Sequence, residues 1–172
     1  GLIAEMTYKE VSRAYPQILT LDTFLTFAVT SKKSVLIETK HPVISGNRIE
    51  EIILETLEKT EGIKGIDLSI MSFSWFAIEK IKKMDPRIST TLLMSKKTPW
   101  FSARISSASA IGPGINEIRA EPIRAERIKS SGRTLNVWTV DEPSDIELCK
   151  KIGVDILITN MPAQAREVLG YP

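Results

Sequence analysis

"TLNVWTVDEPSDIELCKKIGVDILIT", residues 134–159, decides the fold. Two apolar runs, "TLNVWTV" and "VDILIT", bracket the segment "PSDIELCKKIG". That segment opens on Pro143, which is pre-set for a first helical turn, and closes on Gly153, which accepts a left-handed helix end. Strand, helix, strand is the unit of a parallel sheet with a crossover connection. Working outward, the same alternation recurs. Further strands are expected at 34–40, 66–72 and 88–94, which with 134–140 and 154–159 makes five. Between them, "LTLDTFLTFAVT" reads as a helix capped near Thr20, with Leu21, Phe24, Leu25 and Ala28 at helical spacing. "NRIEEIILETLEKTEG" reads as an amphipathic helix with Asn47 as cap, Ile49, Ile52, Ile53 and Leu57 as its apolar stripe and Gly62 as its stop. "WFAIEKIKKMDP" is a helix closed by Pro86, "PIRAERIKSSG" one that runs from Pro122 to Gly132, and "PAQAREVLG" the last. Residues 95–118 are irregular, with a short helix over 100–107 and an extended piece near Ile111.

The class is therefore α/β. Five parallel strands suit an open doubly wound sheet or the later part of an eight-stranded barrel. A nucleotide-binding open sheet carries a glycine-rich turn after its first strand. The turn here is "HPVISGN", without that signature, and "GPGINE" reads as an ordinary loop.

Composition narrows the function. A chain of 172 residues, 42% hydrophobic, suits a single domain over 1–172. Lys plus Arg is 23 and Asp plus Glu is 21, a balance that gives no reason to expect a nucleic-acid partner. The basic pairs Lys32-Lys33, Lys82-Lys83, Lys96-Lys97 and Lys150-Lys151 are scattered and read as solvated surface. Cys149 is the only cysteine and is expected as a buried thiol, because no second histidine exists to activate it. No apolar run approaches the roughly 18 residues of a membrane span, and no secretory signal stands at Gly1, so a cytoplasmic location is expected.

The strand "SVLIETK" raises the chemical question, because it ends in Glu38 and Lys40 and is followed by His41, the single histidine. Side chains two apart on a strand share a face, so Glu38 and Lys40 point one way and Val35, Ile37 and Thr39 the other. Charges at the C-terminal end of a parallel strand stand where α/β folds bind ligands. Placement alone leaves two readings open: an internal ion pair that stabilises little, or a carboxylate for a cation beside an ammonium for an anion. Other strand ends bring Ser72 and Phe73, Trp138, and Thr159 and Asn160 to the same level. Trp75 and Trp100 stand at no strand end and read as packing or surface.

"VLIETK", "MSF" and "NVWTVDEPSDIELCKKIGVDILITNMP", in that order, resemble the glycerophosphodiester phosphodiesterase family. The last block is similar to the family's Trp-Thr-Val-Asn, helix, Gly-Val-Asp and Ile-Thr-Asp/Asn-x-Pro, and the likeness runs over about 2–169. The resemblance implies a TIM barrel and hydrolysis of glycerophosphodiesters to an alcohol and glycerol 3-phosphate, with a divalent metal, calcium or magnesium. It implies Glu38 as a metal ligand, Lys40 as a phosphate contact and Trp138 as a wall of the substrate pocket. The family's N-terminal His-Arg-Gly, Glu-x-Asp and His-Asp strands, which carry its catalytic histidines and remaining metal carboxylates, have no counterpart in these residues. His41 does not replace them, and Asp141 stands where the family has Asn.

These readings set several expectations. The barrel is represented by its last five strands, with Ile70, Leu92 and Val137 facing its interior. The chain by itself is inactive, and open edges at 34–40 and 154–159 lead to self-association. The alternatives are a non-catalytic phosphate-binding remnant or scaffold of the same fold, and a related phospholipase of the phosphodiesterase superfamily.

Overall fold

The order of the strands separates the two α/β architectures. The computed structural model describes residues 3–42, 46 and 48–171. Helices α1 (Tyr8–Ala14) and α2 (Leu21–Thr30) lead into strand β1 (Val35–Thr39), followed by α3 (Arg48–Lys59), β2 (Leu68–Ser72), α4 (Trp75–Met84) and β3 (Ser89–Leu93). Then come α5 (Phe101–Ile105), β4 (Ala110–Gly112), α6 (Ile115–Ala120), α7 (Ile123–Ser130), β5 (Thr134–Val137), α8 (Pro143–Ile152), β6 (Ile156–Leu157) and α9 (Pro162–Leu169). The strands form one sheet in the order β1-β2-β3-β4-β5-β6, every pair parallel. A doubly wound sheet reverses its strand order at a switch point. Here the spatial order follows the sequence throughout, as in a barrel.

Two contacts show the curl. Strands in a sheet lie about 4.8 Å apart. Thr91 on β3 and Asn136 on β5 flank β4 and would be about 10 Å apart in a flat sheet. The Asn136 side-chain amide instead donates to Thr91 Oγ1 at 2.8 Å. Phe73, just past β2, and Trp138, just past β5, meet edge to face with ring centroids 5.1 Å apart, across three strand spacings. The sheet is therefore an arc of a TIM-type barrel, concave on this face.

Among the described residues the sheet has six strands where the sequence suggests five. The extended piece near Ile111 is β4, and "GPGINE" is the turn that leads from it to α6. Its sequence, Ala-Ile-Gly, carries too little apolar bulk to read as a strand, and the reason is steric. A Cβ on Gly112 would lie 2.8 Å from Leu93 Cδ2 and 3.1 Å from Thr91 Cγ2, on the concave face. Six strands fill six of the eight positions of a barrel, leaving two rather than three.

The convex face carries the apolar core. Ile37, Ile70, Ile53, Leu57 and Ile81 pack in one cluster with α2 and α3, and Leu92, Ile111, Leu135, Val137 and Ile146 in a second. This corrects the expectation for Ile70, Leu92 and Val137: they face the helices and not the barrel interior. Helix signals at α2 and α8 hold. Thr20 Oγ1 accepts from Thr23 N–H at the start of α2, Pro143 opens α8, and Gly153 closes it at φ +67°. Cys149 is buried, and desolvation pushes its thiol up to about 11. Two stripe assignments are corrected: Phe24 and Ile52 are exposed, and on α3 the fully buried place next to Ile49 belongs to Glu50. Asn47, expected to cap that helix, lies outside the described residues.

Candidate active site at the strand C-termini

Strand alternation puts Glu38 on the concave face, because its neighbour Ile37 packs into the helix layer. Lys40 follows on the same side, at the C-terminal end of β1. Its Nζ lies 2.9 Å from Glu38 Oε1, with the lysine side chain 81% exposed and the glutamate 26%. The same-face placement expected from the sequence is thus what the structure has. So exposed a pair contributes at most about 1 kcal/mol. Lys40 can exchange its carboxylate for a stronger anionic partner at small cost.

His41 takes a different partner. Its Nε2 lies 2.7 Å from Glu50 Oε1, with the imidazole 14% exposed and Glu50 fully buried. The second carboxylate oxygen, Oε2, is buried without a hydrogen-bond partner among the described residues. The imidazole is committed to a structural acid of α3. Nothing in the sequence pattern announced this, because Glu50 sits in the run "RIEEII", which reads as a polar start to an amphipathic helix.

Trp138 forms the far wall. Its indole N–H donates to Gly112 O at 2.7 Å, and its ring takes the edge contact from Phe73. Gly114 runs beside it, and a Cβ there would lie 3.6 Å from Trp138 O and 3.8 Å from its ring. Beyond Trp138, Asp141 ties two strand ends together. Asp141 Oδ1 accepts from Thr159 Oγ1 at 2.9 Å and from Asn160 N–H at 2.7 Å, and Oδ2 from the Asn160 amide at 2.9 Å. These bonds, the Asn160 side chain's first, hold the Asp141 carboxyl below the usual carboxylate range. Thr159 and Asn160 are therefore partners of Asp141, and Ser72 serves the backbone, donating to Thr39 O and accepting from Ser74 N–H. Of the other tryptophans, Trp75 packs on the core and Trp100 lies under the Arg124 guanidinium at 4.8 Å.

A hollow of about 890 Å³ opens away from these strand ends, between α3 and α4, near Ile63 and Ile88, which precede β2 and β3 at the opposite end of the sheet. Among the described residues no group of three or more His, Cys, Asp or Glu side chains converges for a metal. Glu38 offers one carboxylate where a hard cation takes about six or more oxygens. The described residues thus fit one ligand of such a site and do not complete it. They also include no helix long and apolar enough to cross a membrane.

The family model for the glycerophosphoryl diester phosphodiesterase family matches residues 2–164. The chain belongs to this family. A probable glycerophosphodiester phosphodiesterase 1 of Mycobacterium tuberculosis is 32% identical over 161 residues, which cover 87% of this chain and 58% of that protein. A glycerophosphodiester phosphodiesterase of Caldanaerobacter subterraneus is 31% identical over 130 residues, 74% of this chain and 52% of its own length. The chain thus spans little more than half the length of these curated relatives. Among solved structures, an Oleispira antarctica phosphodiesterase in complex with the product sn-glycerol-3-phosphate superposes with a TM-score of 0.83 at 18% identity, covering 99% of this chain and 73% of that one. A glycerophosphoryl diester phosphodiesterase of Agrobacterium tumefaciens gives 0.84 at 20%, covering 98% and 72%. At those identities the structural likeness speaks for the fold alone, and it agrees with the TIM-type arc. The exposed lysine, the carboxylate and the tryptophan of this chain lie at the strand C-termini, the end where barrel enzymes place their chemistry.

Proposed function

We propose that this chain supplies the phosphate-binding side of a glycerophosphodiester phosphodiesterase site, which cleaves a glycerophosphodiester to an alcohol and glycerol 3-phosphate. The observation that carries this reading is the Glu38–Lys40 pair: concave-facing, at a strand C-terminus, with a largely exposed ammonium. In it Lys40 Nζ donates to a non-bridging phosphate oxygen, and an anion held there is stabilised more strongly as water is excluded. Trp138, fixed by its bond to Gly112 O, walls the organic part of the substrate. Glu38, released from Lys40, gives one carboxylate towards a calcium or magnesium ion, which would supply positive charge at the phosphate.

Hydrolysis forms a bond from water oxygen to phosphorus and breaks one from phosphorus to the alcohol oxygen. One group must take a proton from water and another must give one to the leaving alcohol. His41, the only imidazole of the chain, is tied to Glu50. This supports the reading that the chain by itself turns over little or no substrate. The test is glycerol 3-phosphate release from glycerophosphocholine, with calcium or magnesium, by this chain and by a form extended at its N-terminus. The extended form is expected to be active, and Lys40→Ala to abolish its activity while Lys83→Ala leaves it intact. Equal losses from the two lysine variants would refute the phosphate role. Phosphate-ligand binding by both forms without turnover would establish the non-catalytic alternative.

The same proposal extends to self-association. Among the described residues β1 pairs only with β2, and β6 only with β5. Neither strand has a proline to block pairing, and Ile156 is exposed. Such edges add strands from other chains. Light scattering is expected to show dimers or larger species, and a monomer with slow amide exchange at both strands would count against it.

A further inference from the structure

Phenylalanine is among the residues most often buried, yet all five of this chain are exposed: Phe24, Phe27, Phe73, Phe76 and Phe101. Three of them gather at the end of the sheet that carries Lys40. Phe73 (42% exposed) leaves β2, Phe76 (72%) lies in the first turn of α4, and Phe101 (62%) opens α5 after β3. Helices α4 and α5 are neighbours, since Glu79 on α4 accepts from Ser106 and Ser107 just past α5. Strands β2 and β3 already have a neighbour on each side, so a strand added at either edge of the sheet would not cover these rings.

Charge says what does. The connection over residues 94–105, "MSKKTPWFSARI", holds Lys96, Lys97 and Arg104 and no acid. The residues 72–78, "SFSWFAI", carry none either. Glu79 on α4 is held by the two serines, and Glu117 on α6 feels the positive charges of Arg124 and Lys96. Exposed aromatic rings interleaved with lysines on loops are the pattern of a surface that enters a headgroup layer, rings below and ammonium groups at the anionic phosphates.

We propose that this rim docks on an anionic bilayer, with Phe76 and Phe101 entering the interface and Lys96 and Lys97 on its phosphates. Resting on the proposed phosphate role of Lys40, the same orientation turns the mouth toward the membrane, so that the phosphodiester reaches it from the lipid surface.

Binding to vesicles tests the surface without asking for activity, so its failure leaves the hydrolase reading untouched, and the converse holds. The purified chain is sedimented with phosphatidylcholine vesicles, with and without about 30 mol % phosphatidylglycerol, enough for a strong surface potential. Binding is expected only with the anionic lipid, together with a blue shift of tryptophan emission. Phe76→Ser/Phe101→Ser is expected to weaken it more than tenfold, and Lys96→Glu/Lys97→Glu to abolish binding to the anionic vesicles. Phe24→Ser/Phe27→Ser on α2 is expected to leave it unchanged. Circular dichroism identical to the parent's establishes that each variant is folded. No binding by the parent chain, an equal loss with the α2 variant, or dimers that Phe76→Ser/Phe101→Ser dissociates would overturn the proposal, the last by showing a second copy on this face.

Discussion

Two acid–base pairs have their basic members adjacent in the chain and have opposite characters. Lys40 and Glu38 meet at 2.9 Å in the open, and His41 and Glu50 meet at 2.7 Å with the acid sealed from water. A pair in water gives up its internal contact at almost no cost, which is what a ligand-binding group requires. A buried pair does not, because removing one partner leaves the other desolvated and alone. The difference teaches that the mouth of this arc is built from a fixed inner latch, which ties the end of β1 to α3, and a loose outer pair whose exposure suits the proposed contact with a phosphate.

The largest effect should therefore fall on the latch. Glu50→Ala removes a fully buried carboxylate and orphans His41, and is expected to cost about 3–5 kcal/mol of stability in a urea titration. A loss below about 1 kcal/mol would place Glu50 in the same class as Glu38. Next comes Gly112→Ala, on the concave face between the two walls of the mouth. The added methyl would lie 2.8 Å from Leu93 Cδ2, the end of a rotatable side chain, and 3.1 Å from Thr91 Cγ2, so the cost is expected at the lower end of the about 1–3 kcal/mol of overpacking. Asp141 is an intermediate case, half-exposed and bonded to both Thr159 and Asn160. Its carboxyl is held below the usual range, so its contribution is complete above the ordinary Asp value of about 3.9 and fades as pH falls through the lower folded value. Asp141→Ala is expected to lower Tm at pH 7 by less than Glu50→Ala does, and to have no effect once the pH is below the folded value. A difference that grew on acidification would reverse the sign of the argument.

The sequence made the outer pair legible and hid the inner one, for a physical reason. Period-two alternation assigns faces from neighbours in the chain, so Glu38 and Lys40 could be placed together. Glu50 is fully buried with its carboxylate on His41, beyond the end of β1, a contact that helical spacing does not encode. The architecture was readable from 134–159 because proline and glycine mark both ends of α8. Strand β4 was not, because the curl demands glycine where a strand would otherwise show bulk. The inward assignment of Ile70, Leu92 and Val137 failed on a related point. In an arc the packed apolar layer is the one under the helices, and the concave face takes the polar residues Thr91 and Asn136.

The outer pair gives the smallest stability effect and the sharpest functional one. Lys40→Ala should change folding stability by no more than about 0.5 kcal/mol, as for other exposed sites. Calorimetric or phosphorus-NMR titration of the chain with sn-glycerol 3-phosphate measures the rest. A loss of about tenfold or more in affinity on Lys40→Ala, the scale of one charge-assisted phosphate contact, with Lys83→Ala unchanged, is the expected result. Equal affinities for the parent and Lys40→Ala, with both folded, would contradict the account.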